Sequence, residues 1–463
     1  MPKANFDRQP MPEQEAEVRA RNFEEVNLGF PEAIAIKEAE RCLQCKNMPC
    51  RDGCPVGIDI GGFINLLRIG DLRGSSRIMK KYNNLPAICG RVCPQESQCE
   101  KLCVYAKKGV PVGIGRLERF IADWEISDGV ELPEVAKSTG KKVAVVGSGP
   151  SGMTAAADLA RYGHRVVVYE ALHRAGGVLT YGIPPFRLPR LVAETELQNV
   201  QKLGVELKTD WIVGKTITVD EILAEGYDAV FLGTGAGLPQ FLNIPGENLA
   251  GVYSANEFLT RINLMKAYRF PEFDTPVRIG KRIAVVGAGN VAMDSARCAL
   301  RLSPEQVYIV YRRSRTEMPA RVEELHHAEE EGIIFKLLTN PVQILDNGKG
   351  AVAGLECQEM ELGEPDASGR RRPIPKEGTN FVLDVDTVIM AIGTTPNPLV
   401  PQTTMGLETS RHGTIVADGE TGRTTKDRVW AGGDIVTGAA TVIEAMGAGK
   451  RAAASINAYL RGE

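Results

Sequence analysis

Helical spacing dominates the first 130 residues. ERCLQ, IGGFINLLRIGDLRGSSRIMKKYN and IGRLERFIADWE carry apolar residues three and four apart, interrupted by Gly and Pro, which predicts a mainly helical segment with turns between. Residues 129–140 are polar and have no apolar period, as a linker would. The pattern then changes to short β-branched runs. Residues 143–146 read as a strand buried on both faces of a parallel sheet, and KKVAVVGSGPSGMTAAADLARYGHRVVVYEALHRAGG (141–177) runs strand, glycine turn, helix, strand. Helical spacing returns at 193–204, and residues 227–236 are an apolar strand entering a glycine turn. A second unit opens with the strand at 282–286 and closes with VYIVYRRSR. DTVIMAIGTTPN repeats the logic of YDAVFLGTGA and predicts the return from an insertion. RVWAGGDIVTGAATVIEAMGAGKRAAASI predicts a strand, a G-G-D turn and a long helix. The predicted fold class is therefore α/β: a helical domain at 1–135, then two Rossmann-like nucleotide-binding domains, one formed by 136–250 with 386–463 and the other, 251–385, inserted into it.

The glycines say what the two sheet units bind. Gly147, Gly149 and Gly152 follow the first strand in G-x-G-x-x-G spacing, with Pro150 and Ser151 opening the helix. The first glycine takes the turn, the second lets a pyrophosphate approach the main chain, and the third lets the helix pack on the strand. The helix N-terminus then offers free N–H groups to phosphate. Glu170 ends the second strand, 23 residues after Gly147, where a carboxylate accepts from an unphosphorylated ribose. Gly176 and Gly177 with VLTYGIPPFRLP depart from a plain NAD dehydrogenase and point to a flavin. Gly287, Gly289 and Ala292, with Asn290 at the helix start, repeat the fingerprint as G-x-G-x-x-A. Its second strand ends in Arg312 and Arg313, with Arg315 beyond, in place of an acid. Guanidiniums grip a 2'-phosphate that a carboxylate repels, so this site predicts NADP(H). Near the C-terminus, Gly433 and Asp434 would face a ribitol hydroxyl, and a helix from Thr441 would aim its partial positive end, ~0.5 charge, at the flavin.

Composition adds constraints and one puzzle. With 55 basic against 58 acidic residues and a net charge of -3, nothing favours nucleic acid or an anionic membrane. The polar N-terminus and the lack of any run of 18 apolar residues predict a cytoplasmic chain. Cytosolic thiols stay reduced, so the ten cysteines need a purpose other than disulfides. Eight of them form two runs, C-x2-C-x4-C-x3-C at Cys42, Cys45, Cys50 and Cys54, followed by Pro55, and C-x3-C-x5-C-x3-C at Cys89, Cys93, Cys99 and Cys103. Zinc is the plainer alternative, but only one C-x2-C arm is present, and the C-P ending suits iron–sulfur clusters better. Cys298 and Cys357 read as buried apolar residues, and none of the five histidines stands in a catalytic pattern.

RCLQCKNMPCRDGCP, CGRVCPQESQCEKLC, VGIGRLERFIADWE, both fingerprints, YGIPPFRLP, YRRSRTEMPAR and AGGDIVTGA together resemble, end to end, the glutamate synthase small (beta) subunit family. That family includes the large subunit of NADH-dependent ferredoxin:NADP+ oxidoreductase and the N-terminal part of dihydropyrimidine dehydrogenase. The resemblance implies FAD on the first fingerprint, NADP(H) on the second and two [4Fe-4S] clusters with crossed ligands. One cluster would take Cys42, Cys45, Cys50 and Cys103. The other would take Cys54, Cys93 and Cys99, with Glu118 at the position where dihydropyrimidine dehydrogenase has a glutamine ligand. Cys89 would be a spare. The five residues between Cys93 and Cys99 look more like the ferredoxin:NADP+ oxidoreductase large subunit than the bacterial glutamate synthase small subunit. The implied function is electron transfer between NADP(H), FAD and the clusters. The partner would be a second redox subunit with NADH, flavin and a [2Fe-2S] centre, with ferredoxin as a further partner and electron bifurcation in view. The alternatives are the glutamate synthase small subunit serving a large subunit, and a non-catalytic cofactor scaffold.

Overall fold

The computed structural model describes residues 7–367 and 369–463. Its first part is helical, from Ala16–Arg19 to Ile114–Asp128, with strands starting only at Lys142–Val146. The helices Ile60–Arg68 and Leu72–Lys80 are each started by an aspartate, Asp59 and Asp71, whose side chain accepts from the N–H three residues on. Residues 130–139 form no helix or strand but are tied down, Ala136 N donating to Arg161 O and Thr139 N to Gly163 O.

Two five-stranded parallel sheets follow. In the first the order is Val429–Ala431, Ala229–Leu232, Lys142–Val146, Arg165–Tyr169, Glu206–Lys208. In the second it is Val252–Ser254, Thr387–Met390, Arg282–Val286, Gln306–Tyr311, Ile334–Leu337. Both reverse direction of strand order beside the fingerprint strand, which opens the crevice where nucleotides bind in such sheets. The strand Thr387–Met390 pairs with Arg282–Val286, so it completes the inserted sheet. A boundary at 385/386 is therefore too early, and the chain returns after Met390. Two crossing segments, Leu238–Pro239 and Thr394–Thr395, pair antiparallel where the chain leaves and re-enters. The Asp-, Gly- and Arg-rich stretch after 363 lies in an antiparallel excursion, where Val352–Pro365 pairs with Thr339–Asp346, Arg371–Pro375 and Phe381–Leu383.

The helical part shares one apolar core with the first sheet: Phe63, Ile88 and Leu117 are continuous with Val145, Met153 and Met446. It also reaches the second sheet. Val26 N donates to Phe186 O, Phe23 stacks on Tyr268 with centroids 4.1 Å apart, and Arg301 Nε donates to Asn22 O at 2.7 Å. Among the described residues no helix is long and apolar enough to cross a membrane.

Candidate functional site

At the first fingerprint, Gly147 has φ +97°, and a Cβ there would lie 2.5 Å from Gly233 O, just past the neighbouring strand Ala229–Leu232. A Cβ on Gly152 would lie 1.9 Å from Gly147 O, so the helix Pro150–Arg161 can pack this closely only with glycine. Gly149 is different. Nothing lies within 4 Å of its would-be Cβ, which leaves the open approach a pyrophosphate needs. Gly177, at φ +52°, closes over it, with Gly149 Cα 3.0 Å from its would-be Cβ. Glu170 is buried and already accepts from Ser148 N at 3.0 Å and Ser148 Oγ at 2.5 Å, and from Leu172 N at 2.8 Å. A carboxylate has about four acceptor positions, so one remains for a ribose hydroxyl.

The C-terminal helix Val442–Arg461 packs across this helix through Gly449, whose would-be Cβ meets Ser151 O at 2.3 Å. A Cβ on Gly433, at φ +80°, would lie 2.9 Å from Ser151 Oγ. Asp434 begins the short helix Asp434–Thr437; burial raises its carboxyl to about 6, and its Oδ1 accepts from Ala440 N at 3.2 Å. Thr441 is the N-cap of the C-terminal helix, and Glu444 closes a capping box by accepting from Thr441 N and Oγ. The expected positive helix end is thus partly answered by a carboxylate in the first turn.

At the second fingerprint, Gly287 has φ +133° and a would-be Cβ 2.2 Å from Ala391 O; Gly289 faces only Pro319 Cγ, at 4.0 Å; Ala292 is buried. Asn290 opens the helix Asn290–Leu300, and its Oδ1 accepts from Arg321 N at 2.9 Å. The arginine pair is divided. Arg312 is exposed and makes no ion pair among the described residues, whereas Arg313 is buried, its Nη2 2.7 Å from Asp366 Oδ2 and its Nε donating to Arg371 O. Arg315 is exposed and paired with Glu329. The antiparallel excursion thus engages Arg313, which leaves Arg312 as the member of the expected arginine pair that makes no ion pair among the described residues.

The cysteines fall into two groups. Cys42, Cys45, Cys50 and Cys103 line one cavity, walled by Met48, Ile60 and Ile64. Burial raises the Cys42 thiol and pushes Cys50 up to about 12, and the charge of Cys103 acts on both. Cys54, Cys89, Cys93 and Cys99 all feel the charge of Glu118. Burial raises Cys54 to about 11 and Cys99 well above its usual value, while Cys93 is raised first by its hydrogen bond to Cys89. Glu118 itself, in the helix Ile114–Asp128, is pushed up to about 8 by burial. Two glycines permit the gathering. A Cβ on Gly53 would meet Gln98 O at 2.6 Å, so the loop before Cys54 can lie against the loop holding Cys99. A Cβ on Gly90 would meet Arg119 N at 2.5 Å, so the helix Pro86–Val92 can press on the turn carrying Glu118. Cys99 also feels Cys50, so the two groups adjoin. Partly and fully buried thiols gathered with a buried carboxylate are a donor set that a metal cluster would stabilise as anions. Among the described residues no three His, Cys, Asp or Glu side chains converge as closely as a single ion requires. Cys298 and Cys357 are fully buried, in the helix Asn290–Leu300 and the strand Val352–Pro365.

Sequence reasoning singled out none of four residues that shape the site, Asn83, Met446, Gly447 and Arg187. Asn83 hydrogen-bonds Glu118, and Met446 Sδ lies 3.5 Å from Cys89 Sγ. A Cβ on Gly447 would lie 2.7 Å from Pro55 O, so the C-terminal helix rests directly on the loop after Cys54. Arg187, within the YGIPPFRLP motif, pairs with Asp294 at 2.7 Å and Glu324 at 3.0 Å, joining the first nucleotide unit to the second.

Comparison with known proteins accords with this layout. Residues 19–130 match the family described as dihydropyrimidine dehydrogenase domain II, 4Fe-4S cluster, and residues 141–449 match pyridine nucleotide-disulphide oxidoreductase. The chain is 36% identical to the glutamate synthase [NADPH] small chain of Escherichia coli K12, over 97% of this chain and 96% of that one. It is 40% identical to the NADP(+)-dependent formate dehydrogenase subunit beta of Moorella thermoacetica, over 89% of this chain, and spans 60% of that subunit's length. Mycobacterium tuberculosis FprA in complex with NADPH is similar in fold, with a TM-score of 0.58 and 23% identity over 70% of this chain and 86% of that one. A chain coextensive with the glutamate synthase small chains, joining a 4Fe-4S domain to a pyridine nucleotide oxidoreductase domain, belongs to their family: it is an NADPH-dependent flavin and iron–sulfur oxidoreductase of the subunit type.

Proposed function

We propose that this chain carries electrons between NADP(H), held at the second fingerprint, and a partner subunit, by way of FAD at the first fingerprint and two [4Fe-4S] clusters at the two cysteine groups. When bound, a flavin exchanges hydride with the nicotinamide and single electrons with clusters. The chain's own part is placement. Gly147, Gly149 and Gly152 with Glu170 would seat the FAD adenosine and pyrophosphate, and Gly433 and Asp434 its ribitol side. Gly287, Gly289, Asn290 and Ala292 would seat the second nucleotide, with Arg312 reading its 2'-phosphate.

The order of the two cysteine groups follows from packing. The observation that carries the reading is the contact of Met446 and Gly447 with Cys89 and Pro55, because it sets the group of Cys54, Cys93, Cys99 and Glu118 against the helix that crosses the flavin fingerprint. The group of Cys42, Cys45, Cys50 and Cys103 is then the outer one, beside the exposed Leu43 and Leu102. Anaerobic titration with NADPH tests this. The flavin absorbance should bleach first and the clusters after it; a flavin that NADPH leaves oxidised would overturn the assignment and favour a scaffold.

Of the two partner readings, the five-residue spacing between Cys93 and Cys99 favours the large subunit of an NADH-dependent, bifurcating ferredoxin:NADP+ oxidoreductase. The near-complete overlap with glutamate synthase small chains favours the second, electron supply to a glutamate synthase large subunit. The co-purifying subunit separates them: NADH- and ferredoxin-dependent turnover of the complex supports the first, and glutamine-dependent glutamate formation replaces it with the second.

A further inference from the structure

Asn83 is fully buried in the turn between the helices Leu72–Lys80 and Pro86–Val92. Its amide orientation is determined by its neighbours. Leu85 N lies 2.9 Å from one amide atom, and a peptide N–H can only donate, so that atom is the oxygen, Oδ1. The other atom is the NH2 group, and it faces Glu118 Oε1 at 2.7 Å. Glu118 receives no other side-chain hydrogen bond among the described residues. Cys89 is occupied on the same node. Its Sγ is 3.7 Å from Asn83 Oδ1 and 3.5 Å from Met446 Sδ, and Cys93 hydrogen-bonds it.

We infer that Asn83 is the positioning residue of the inner cluster group: it holds one oxygen of Glu118, leaves the other for metal, and engages through its Oδ1 the Cys89 thiol that borders Cys93. The inference rests on the proposed ligand role of Glu118. A neutral donor on one oxygen withdraws charge from a ligand carboxylate and fixes its rotamer, and hydrogen bonds of this kind raise a cluster's potential by stabilising the more negative, reduced form. Asn83 therefore gives the group beside the C-terminal helix a higher potential than the same ligands would have unassisted. It also joins that group to Met446 through Cys89.

The test uses the anaerobically purified full chain with its cofactors. Asn83→Asp keeps the acceptor for Leu85 N and removes the NH2 donor; Asn83→Leu cannot donate in any protonation state. In variants that retain FAD and wild-type iron, one of the two clusters should show altered spin-resonance g-values. Its midpoint potential should be lower by at least a tenfold change in the reduction equilibrium, about 59 mV for one electron. The other cluster should stay as in the wild type. Unchanged signals and potentials for both clusters in both variants would overturn the inference. Glu118→Gln separates this failure from that of its premise. If Glu118→Gln also leaves both clusters unchanged, the ligand role of Glu118 is wrong. If it alters one cluster while neither Asn83 variant does, Glu118 is a ligand and Asn83 does not position it.

Discussion

Met446 Sδ and Cys89 Sγ lie 3.5 Å apart, in van der Waals contact across the seam between the C-terminal helix and the cysteine-bearing helix. The next residue, Gly447, has no room for a side chain against Pro55 O. Gly447→Val should force the helix away from the inner cysteine group, at the usual overpacking cost of about 1–3 kcal/mol in stability. Electron transfer rates fall steeply with distance, so rapid mixing with NADPH should show flavin bleaching at its normal rate and slowed cluster bleaching. Equal slowing of both phases would place the seam outside the electron path.

Arg312 and Arg313 should behave differently despite being neighbours. Losing a charge-assisted phosphate contact costs ~1.5–3 kcal/mol, so Arg312→Gln should lower the kcat/KM ratio of NADPH to NADH by roughly 10- to 100-fold. Arg313→Gln should lower the melting temperature, by breaking the pair with Asp366, and leave that ratio nearly unchanged. The reverse outcome would mean that nucleotide binding redirects Arg313 away from Asp366.

This pair also shows what can be read from a sequence. Gly152 was legible because its crowding is local, against Gly147 O, whereas Gly147 and Gly287 are crowded by the distant Gly233 O and Ala391 O and were legible only through their spacing. Arg313 was not, because its partner stands 53 residues on, in a hairpin whose course no local pattern fixes. Thr387–Met390 was assigned to the wrong sheet for a similar reason. A short apolar strand followed by a glycine turn fits either sheet, and only its pairing with Arg282–Val286 decides. Asn83 carries no periodicity or spacing that marks it, whereas Arg187 stands inside YGIPPFRLP, a motif that departs from a plain NAD dehydrogenase.

Crossed ligation makes a pairwise expectation. Cys103→Ser should remove the same spin-resonance signal as Cys45→Ser, and Cys54→Ser the same one as Cys99→Ser, although Cys54 is nearer in sequence to Cys45. The wild-type chain should hold one FAD and about eight irons, the content of two four-iron clusters. Signals lost in sequence order, the first run against the second, would rule out the crossing. Stoichiometric zinc without sulfide would rule out the clusters.

Glu196 predicts a pH dependence of stability. It is fully buried, burial pushes its carboxyl up to about 8 against the opposing pull of the Ala87 N–H, and its Oε2 has no partner. A folded value above the unfolded one, about 4.3, means that the folded state keeps its proton where the unfolded state releases it. The contribution is complete below the unfolded value, falls by up to about 1.4 kcal/mol per pH unit as pH rises, and is gone above about 8. Glu196→Gln should flatten this slope, so thermal melts of the two proteins should differ more at pH 8.5 than at pH 5.5. Parallel melting curves would show that Glu196 is ionised throughout.

If electrons leave for the partner at the outer cysteine group, as proposed, the residues flanking it should set the salt dependence of that transfer. Leu43 and Leu102, each adjacent in sequence to a half-buried cysteine of that group, are exposed, an unusual position for large apolar residues. In the same stretches of sequence Lys46, Arg51, Lys101, Lys107 and Lys108 are exposed, outnumbering the exposed acids Glu40 and Asp52, and none of the five basic residues forms an ion pair among the described residues. An apolar centre with a basic rim fits an acidic partner face, whose approach would be steered by charge and then held by contact. Electrostatic steering is screened within about 8 Å at physiological ionic strength. The rate of electron delivery from this chain to its partner should therefore fall as salt is raised, while NADPH-driven bleaching of the flavin in the isolated chain changes little. Lys101→Glu with Lys107→Glu should slow delivery at low salt and converge with the wild type at high salt, and Leu102→Ser should slow it at every salt concentration. If charge reversal has no effect at low salt, the partner approaches another face, and the exposed leucines need a different explanation.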